Sequence, residues 1–252
     1  MGSKKLLTTL RRRGGGPSII ADGLIADWRM DDGSGQQVTD YSGNDYHLQL
    51  GANADAGGDA ADPTWSSEGL TFASGDYLTS NQAALRPDAY TAMFVYADSE
   101  VTATIESLLG WMSDYGAAGP ALYARINTTN KPLNYISSVG SDSYKVHLSP
   151  VALNDGSYRV LTFTCPGTSN ANAFLSSIWK HKTELAVDLV KNEGDPYEAK
   201  SAFRIGQARY PLVAKLASVA LYSRVLSESE IGSNVDYYTA VLATRGVTVN
   251  PT

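Results

Sequence analysis

From about residue 24 onward the chain alternates apolar and polar residues over short stretches, broken by Gly, Asn, Asp or Pro, the pattern of β-strands joined by tight turns. In Leu24-Ile25-Ala26-Asp27-Trp28-Arg29-Met30 the alternate residues Leu24, Ala26, Trp28 and Met30 are predicted to share one face, and Asp31-Asp32-Gly33-Ser34-Gly35 reads as a turn. Further strands are predicted at 46–50, 69–73, 76–80, 90–97, 105–111, 121–126, 133–138, 144–148, 157–164, 172–180, 202–206 and 215–223. Roughly a dozen short strands without strand–helix alternation predict an antiparallel sandwich or barrel and argue against a parallel α/β sheet. One helix is predicted near the end. Ser227 can cap it and Glu230 completes a capping box. Ile231, Val235, Tyr238 and Leu242 recur at helical spacing, and Gly246 is a stop. Tyr237 and Tyr238 are expected to pack on the sandwich.

The N-terminus breaks this pattern. Residues 3–13 could form a short amphipathic helix, marginal by itself, and Gly14-Gly15-Gly16-Pro17 is a flexible break. Residues 1–20 therefore read as a basic arm and residues 21–252 as a single sandwich domain. Residues 1–16 hold five basic side chains and no acid, so the chain's net charge of −6 leaves the remainder at −11. An acidic body does not suit general nucleic-acid binding. The arm offers Lys4, Lys5, Arg11, Arg12 and Arg13 for an acidic surface and Leu6, Leu7 and Leu10 for burial, the make-up of a partner-binding element. No stretch reaches the length of a membrane span, and the N-terminus lacks the form of a signal peptide. A single cysteine, Cys165, excludes an internal disulfide and reads as a buried, inert thiol.

Both ends of the domain resemble one family. Gly23 to Gly35, followed by Val38-Thr39-Asp40-Tyr41-Ser42-Gly43-Asn44-Asp45-Tyr46-His47-Leu48, is similar to the opening of laminin G-like, concanavalin A-like domains: an aromatic-bearing strand, an acidic Gly-Ser-Gly turn and a D-x-S-G-N loop. Phe203-Arg204-Ile205-Gly206 and the run from Lys215 to Ile231 resemble the family's closing strand and its Y-x-R-x-L-S-x-x-E-I tail. Tyr158 to Thr164 resembles a middle strand of the family. The resemblance implies an all-β, concanavalin A-like antiparallel jelly roll with a short C-terminal helix and an extended N-terminal arm. Physics accounts for the same residues without a ligand. Gly33, Gly35 and Gly43 supply turn freedom, Asp40, Ser42 and Asn44 can satisfy loop amides, and Trp28, Phe72, Phe94, Phe163 and Tyr222 are core candidates.

Some family members bind calcium, and many carry an Asp-Glu pair in the closing strand where this chain has Ala217 and Ser218. No cofactor is therefore expected and calcium is not expected to be needed for folding, although Asp27, Asp31, Asp32 and Asp40 are possible oxygen donors. Glu193-Gly194-Asp195-Pro196-Tyr197-Glu198 has the E-x-D-x-x-E spacing of concanavalin A-like glucanases, which need a carboxylate pair. Gly194 and Pro196 suit a central strand poorly, and the segment reads as a loop. His47, His147 and His181 lack metalloprotease spacing, and no nucleophile elbow or phosphate loop is present. The expectation is a non-catalytic structural or binding module: an accessory or decoration protein of a bacteriophage particle, assembled in the host cytoplasm and attached through its arm to protein neighbours. The alternatives are a lectin-like, extracellular domain binding surface glycans and, third, a β-glucanase. No nucleic-acid or membrane partner is expected.

Overall fold

The computed structural model describes residues 16–55, 58–85, 87–97, 106–111, 121–125, 133–137, 144–148, 155–167, 177–186, 188–192, 203–206 and 211–250. Their strands are β1 Leu24–Trp28, β2 Gln37–Val38, β3 Leu48–Leu50, β4 Thr64–Ser66, β5 Gly69–Phe72, β6 Leu78–Ser80, β7 Tyr90–Ala97, β8 Glu106–Trp111 and β9 Ala121–Arg125. They continue as β10 Leu133–Ser137, β11 Tyr144–Leu148, β12 Arg159–Cys165, β13 Ser177–Lys180, β14 Thr183–Glu184, β15 Asp188–Asn192, β16 Phe203–Ile205 and β17 Ala214–Tyr222, before helix α1, Glu228–Ala243. Two antiparallel sheets result. The first runs β14-β13-β12-β7-β17-β5-β4, with β1 also on β17; the second runs β15-β11-β10-β9-β8-β16-β6-β3-β2. The predicted all-β sandwich with one C-terminal helix is what the chain builds. The strands absent from the sequence reading, β2, β4, β14 and β15, are two to five residues long, and β15 carries Asp188 and Lys191 in a stretch read as polar connection.

Residues of β7 are buried at all eight positions because both of its faces are covered. Ala92, Phe94 and Tyr96 face the second sheet, where they meet Leu48, Leu50, Leu78, Phe203 and Ile205. Met93, Val95 and Ala97 face the other way and lie beneath α1 with Ile231, Val235, Tyr238 and Leu242. The core candidates Trp28, Phe72, Phe94, Phe163 and Tyr222 are all buried. The molecule thus has three layers, helix, first sheet and second sheet. No helix among the described residues is long and apolar enough to cross a membrane.

The closing motif explains the helix start. Tyr222 and Leu226 are buried beneath α1, the Arg224 guanidinium makes paired bonds of 3.0 and 2.6 Å to Glu230, and the Ser227–Glu230 capping box is formed. The bonds from Arg224 and the Ser227 amide hold the Glu230 carboxyl down to about 2. Past the helix the Val247 amide bonds back to the Leu242 carbonyl around Gly246, the expected stop.

Two β-bulges correct the simple alternation. The pairing of β1 with β17 slips between Leu24 and Ala26, so Leu24 joins the helix-side cluster while Ala26, Trp28 and Met30 stay in the inter-sheet core. On β17 the register shifts between Leu216 and Ser218. The Ala217 carbonyl accepts instead from Arg245, whose other nitrogen donates to the Arg29 and Met30 carbonyls. Gly69 lies against this bulge, where a Cβ would come within 2.3 Å of the Leu216 oxygen.

The described chain is already on the body at Ile19 and Ile20, which pack on the helix-side cluster. The Ile20 amide donates to Asn234 and its carbonyl accepts from Tyr222, while Asn234 also donates to Tyr222. A chain starting at Pro17 is therefore expected to melt as the whole protein does. One starting at Asp22 strips two apolar contacts and leaves Asn234 and Tyr222 short of partners, a loss on the order of 3 kcal/mol, or several degrees. Coincident melts of the two truncations would contradict this anchoring.

His181 occupies the β13–β14 turn with φ 53°, is 7% exposed, and has no partner for its buried Nε2. Burial, with Lys180 and Arg159 nearby, pushes its imidazolium down to about 4 from the usual 6.5. The unfolded chain then takes up a proton that the folded one refuses, so this contribution is full above pH 6.5 and is lost as pH falls toward 4. The loss reaches about 3 kcal/mol. His181→Asn, which keeps the left-handed backbone accessible, is expected to flatten that part of the stability–pH curve. Parallel curves for the two proteins would exclude the effect.

Candidate functional site

The candidate residues fall into three groups, two of them singled out in the sequence. Lys4, Lys5, Leu6, Leu7, Leu10, Arg11, Arg12 and Arg13 lie outside the described residues, as do Glu193, Asp195 and Glu198; β15 ends immediately before Glu193. The acids considered as oxygen donors are held by internal groups. Asp40, 6% exposed, accepts from the amides of Asp27, Ser42 and Tyr46 and lies 2.7 Å from the Ser42 hydroxyl. Asn44 completes this loop by donating to the Leu24 and Ile25 carbonyls. Asp27 takes Tyr238 on one oxygen and Arg29 on the other; burial drives its pKa up, while Arg29 and Tyr238 oppose the rise. Asp31 accepts from Tyr41, and Asp32 from the amide and hydroxyl of Thr39. Among the described residues no three His, Cys, Asp or Glu side chains converge to hold a metal ion. Ser218, in the position of the family's acidic pair, is buried and donates to the Trp28 carbonyl. Cys165 is buried with its sulfur 3.2 Å from the Gly167 carbonyl, and His147 sits on β11 opposite Asn134 and Leu189.

The third group is one that the sequence did not single out. The helix occupies the outer face of the first sheet, and among the described residues no layer covers the outer face of the second. There the strands alternate buried and outward positions: Val38, Leu48, Leu50, Leu78, Phe203 and Ile205 point to the core, whereas Gln37 is exposed and Gln49, Thr79 and Arg204 are half-buried. The register puts the outward residues in one row across four strands, Gln37 opposite Gln49, Gln49 opposite Thr79 and Thr79 opposite Arg204. A depression of about 450 Å³ lies over the first three positions of this row, lined by Gln37, His47, Gln49, Thr79, Ser80 and Asn81 and by no charged residue; Arg204 stands just outside it, next to Thr79.

Electrostatically the depression is neutral in a body of net negative charge; the Thr79 hydroxyl donates to the Phe203 carbonyl and the Ser80 hydroxyl accepts the Gln82 amide, whereas its side-chain amides are free for use. Gln37, Gln49 and Asn81 make no side-chain hydrogen bond to the described residues. His47 accepts the Asp40 amide on Nδ1 at 3.0 Å, which leaves the proton on Nε2. The D-x-S-G-N loop that holds Asp40 in place therefore also fixes the histidine beside the row. Two other depressions have spent their polar groups internally. In the one of about 670 Å³, Lys215 pairs with Glu68 at 2.7 Å and Tyr158 bonds the same carboxylate. In the one of about 600 Å³, Asp59 and Asp62 accept from the amides of Ala52, Ala61 and Asp59.

The sequence reading missed this row because each of its members is an ordinary polar residue on a strand of two or three residues. The available signal was the alternation within Leu48-Gln49-Leu50 and Phe203-Arg204-Ile205, but only strand pairing joins positions 37, 49, 79 and 204.

No protein-family model matches the chain, and no curated protein matches it in sequence. Solved structures do resemble it. The botulinum neurotoxin serotype D binding domain superposes with a TM-score of 0.61 at 13% identity, over 86% of this chain and 52% of that one. The binding domain of botulinum neurotoxin DC in complex with SialylT gives 0.59 at 10% identity, again over 86% and 52%. Trypanosoma rangeli sialidase in complex with sialic acid gives 0.57 at 16% identity, over 84% of this chain and 32% of that one. The chain thus spans about half the length of the toxin domains and about a third of the sialidase. At these identities the likeness establishes a β-sandwich fold shared with binding domains.

Proposed function

We propose that the domain is a non-catalytic binding module whose ligand is a glycan held on the outer face of the second sheet. The observation that carries this reading is the row of amides over a neutral depression on the one sheet face left without a covering layer among the described residues. Each amide offers an acceptor oxygen and two donor hydrogens, which matches neighbouring hydroxyls of a sugar, each both donor and acceptor. Thr79, Ser80 and the Nε2–H of His47 extend the set. The volume falls in the range of small-ligand sites, about 300–1,000 Å³. The resemblance of the two chain ends to laminin G-like domains supports the same reading, as do the glycans named with two of the similar structures. Attachment to a larger particle through Lys4, Lys5 and Arg11 to Arg13, as in a bacteriophage decoration protein, is a separate proposal from the sequence; the two roles are compatible.

Gln49→Ala and Gln37→Ala are expected to weaken binding to a responding glycan in a panel by tenfold or more, with melting temperatures near that of the parent. Undiminished binding by both variants would remove the face from consideration. A second expectation concerns chemistry: incubation with β-glucans releases no reducing ends. Release that disappears in Glu193→Gln would make the protein a hydrolase instead.

A further inference from the structure

We infer that the glycan carries a carboxylate and that Arg204 is the group that receives it; the inference rests on reading this face as a glycan site. Arg204 stands at the middle of β16 between the buried Phe203 and Ile205, so its side chain leaves the sheet on the outer face, next to Thr79 in the row. Its guanidinium carbon lies 4.6 Å from the centre of the Tyr77 ring. Among the arginines whose side chains are described, Arg29, Arg159 and Arg224 pair with carboxylates and Arg245 bonds three backbone carbonyls. Arg204 alone of these has no oxygen partner among the described residues, and its Nε, like those of Arg159 and Arg245, is buried without an acceptor.

A guanidinium does not lose its proton, so it cannot relieve this situation by becoming neutral. Nor do its described cross-strand neighbours supply a countercharge: Thr79 is opposite on one side, and Gly110 on the other brings no side chain. The ring of Tyr77 takes one face of the guanidinium and leaves its edge for bonds in the plane. A carboxylate presents two oxygens in the matching geometry. Neighbouring strands are about 4.8 Å apart, so a glycan anchored there by its carboxylate lays its acidic ring over Thr79 and the rings that follow over Gln49 and Gln37. The ligand class is an acidic sugar, a sialic or uronic acid. Because the body of the domain is negative, acidic polymers are not gathered by general attraction, and the selectivity comes from this one cation.

The test is a glycan array holding neutral oligosaccharides beside their sialylated and uronylated forms. The parent protein is expected to favour the acidic forms by tenfold or more. Arg204→Gln should abolish that preference while neutral binding persists, and Arg204→Lys, which keeps the charge and loses the fork, should retain only part of it. Methyl esterification of the sugar carboxylate should abolish the preference in the unaltered protein, a result independent of how well the variants fold. Equal binding of neutral and acidic forms, or a preference that survives Arg204→Gln or esterification, overturns the inference while leaving the glycan site standing. Binding to no glycan of either kind overturns both.

Discussion

The central sheet is apolar on both faces, and the rest of the architecture follows from that. Met93, Val95, Ala217, Ala220 and Tyr222 on its outer side are as buried as Phe94, Leu161, Phe163 and Leu221 on its inner side. One layer cannot cover two faces, so the second sheet closes one and α1 closes the other. The helix is fixed by polar contacts that apolar packing alone would not specify. Tyr238 bonds the buried Asp27, Asn234 joins Tyr222 to the backbone of Ile20, and Arg245 reaches the carbonyls of Arg29, Met30 and Ala217. With the helix there, the described residues leave one sheet face open.

The chain ends converge on the same place. Strand β1, from the start of the domain, pairs with β17, its last strand, and the loop that follows β1 is tied back to it by Asp40, Ser42 and Asn44. The residues that carry the family resemblance are thus mostly joints: Arg224 with Glu230, Ser227 at the helix start, Asp40 at the loop. Each satisfies buried or terminal backbone groups that would otherwise go unpaired. Asp40 also orients His47, whose Nδ1 accepts the Asp40 amide.

Charge distribution separates these joints from the open face. Of the charged groups that hold the fold, Asp27 is paired with Arg29 and Glu230 with Arg224, while Asp40 and Arg245 are spent on backbone amides and carbonyls. Along the described row of the open face the polar groups are neutral amides and hydroxyls, with Arg204 at its end and Gly110 opposite it on the far side. A surface whose donors and acceptors are not consumed by its own neighbours keeps them for a partner, because water is displaced there without loss of internal bonds.

Local chemistry made much of the fold legible in the sequence. Alternation of period two placed most strands, the capping box and Gly246 bounded the helix, and the large aromatic residues marked the core, since each of these depends on residues close together in the chain. Three things depended on tertiary structure. The bulges at Leu24–Ala26 and Leu216–Ser218 changed which face a residue occupies, and a bulge arises from pairing with a partner strand. The short strands β2, β4 and β14 exist only because a neighbour supplies their hydrogen bonds. The candidate site joins residues 37, 49, 79 and 204, each an unremarkable polar position by itself; the register of four strands makes them a row, and the helix on the far side of the molecule leaves that row uncovered. Sequence spacing specifies neighbours along a strand, whereas a binding surface on a sheet is read across the strands, and only the folded chain defines that direction.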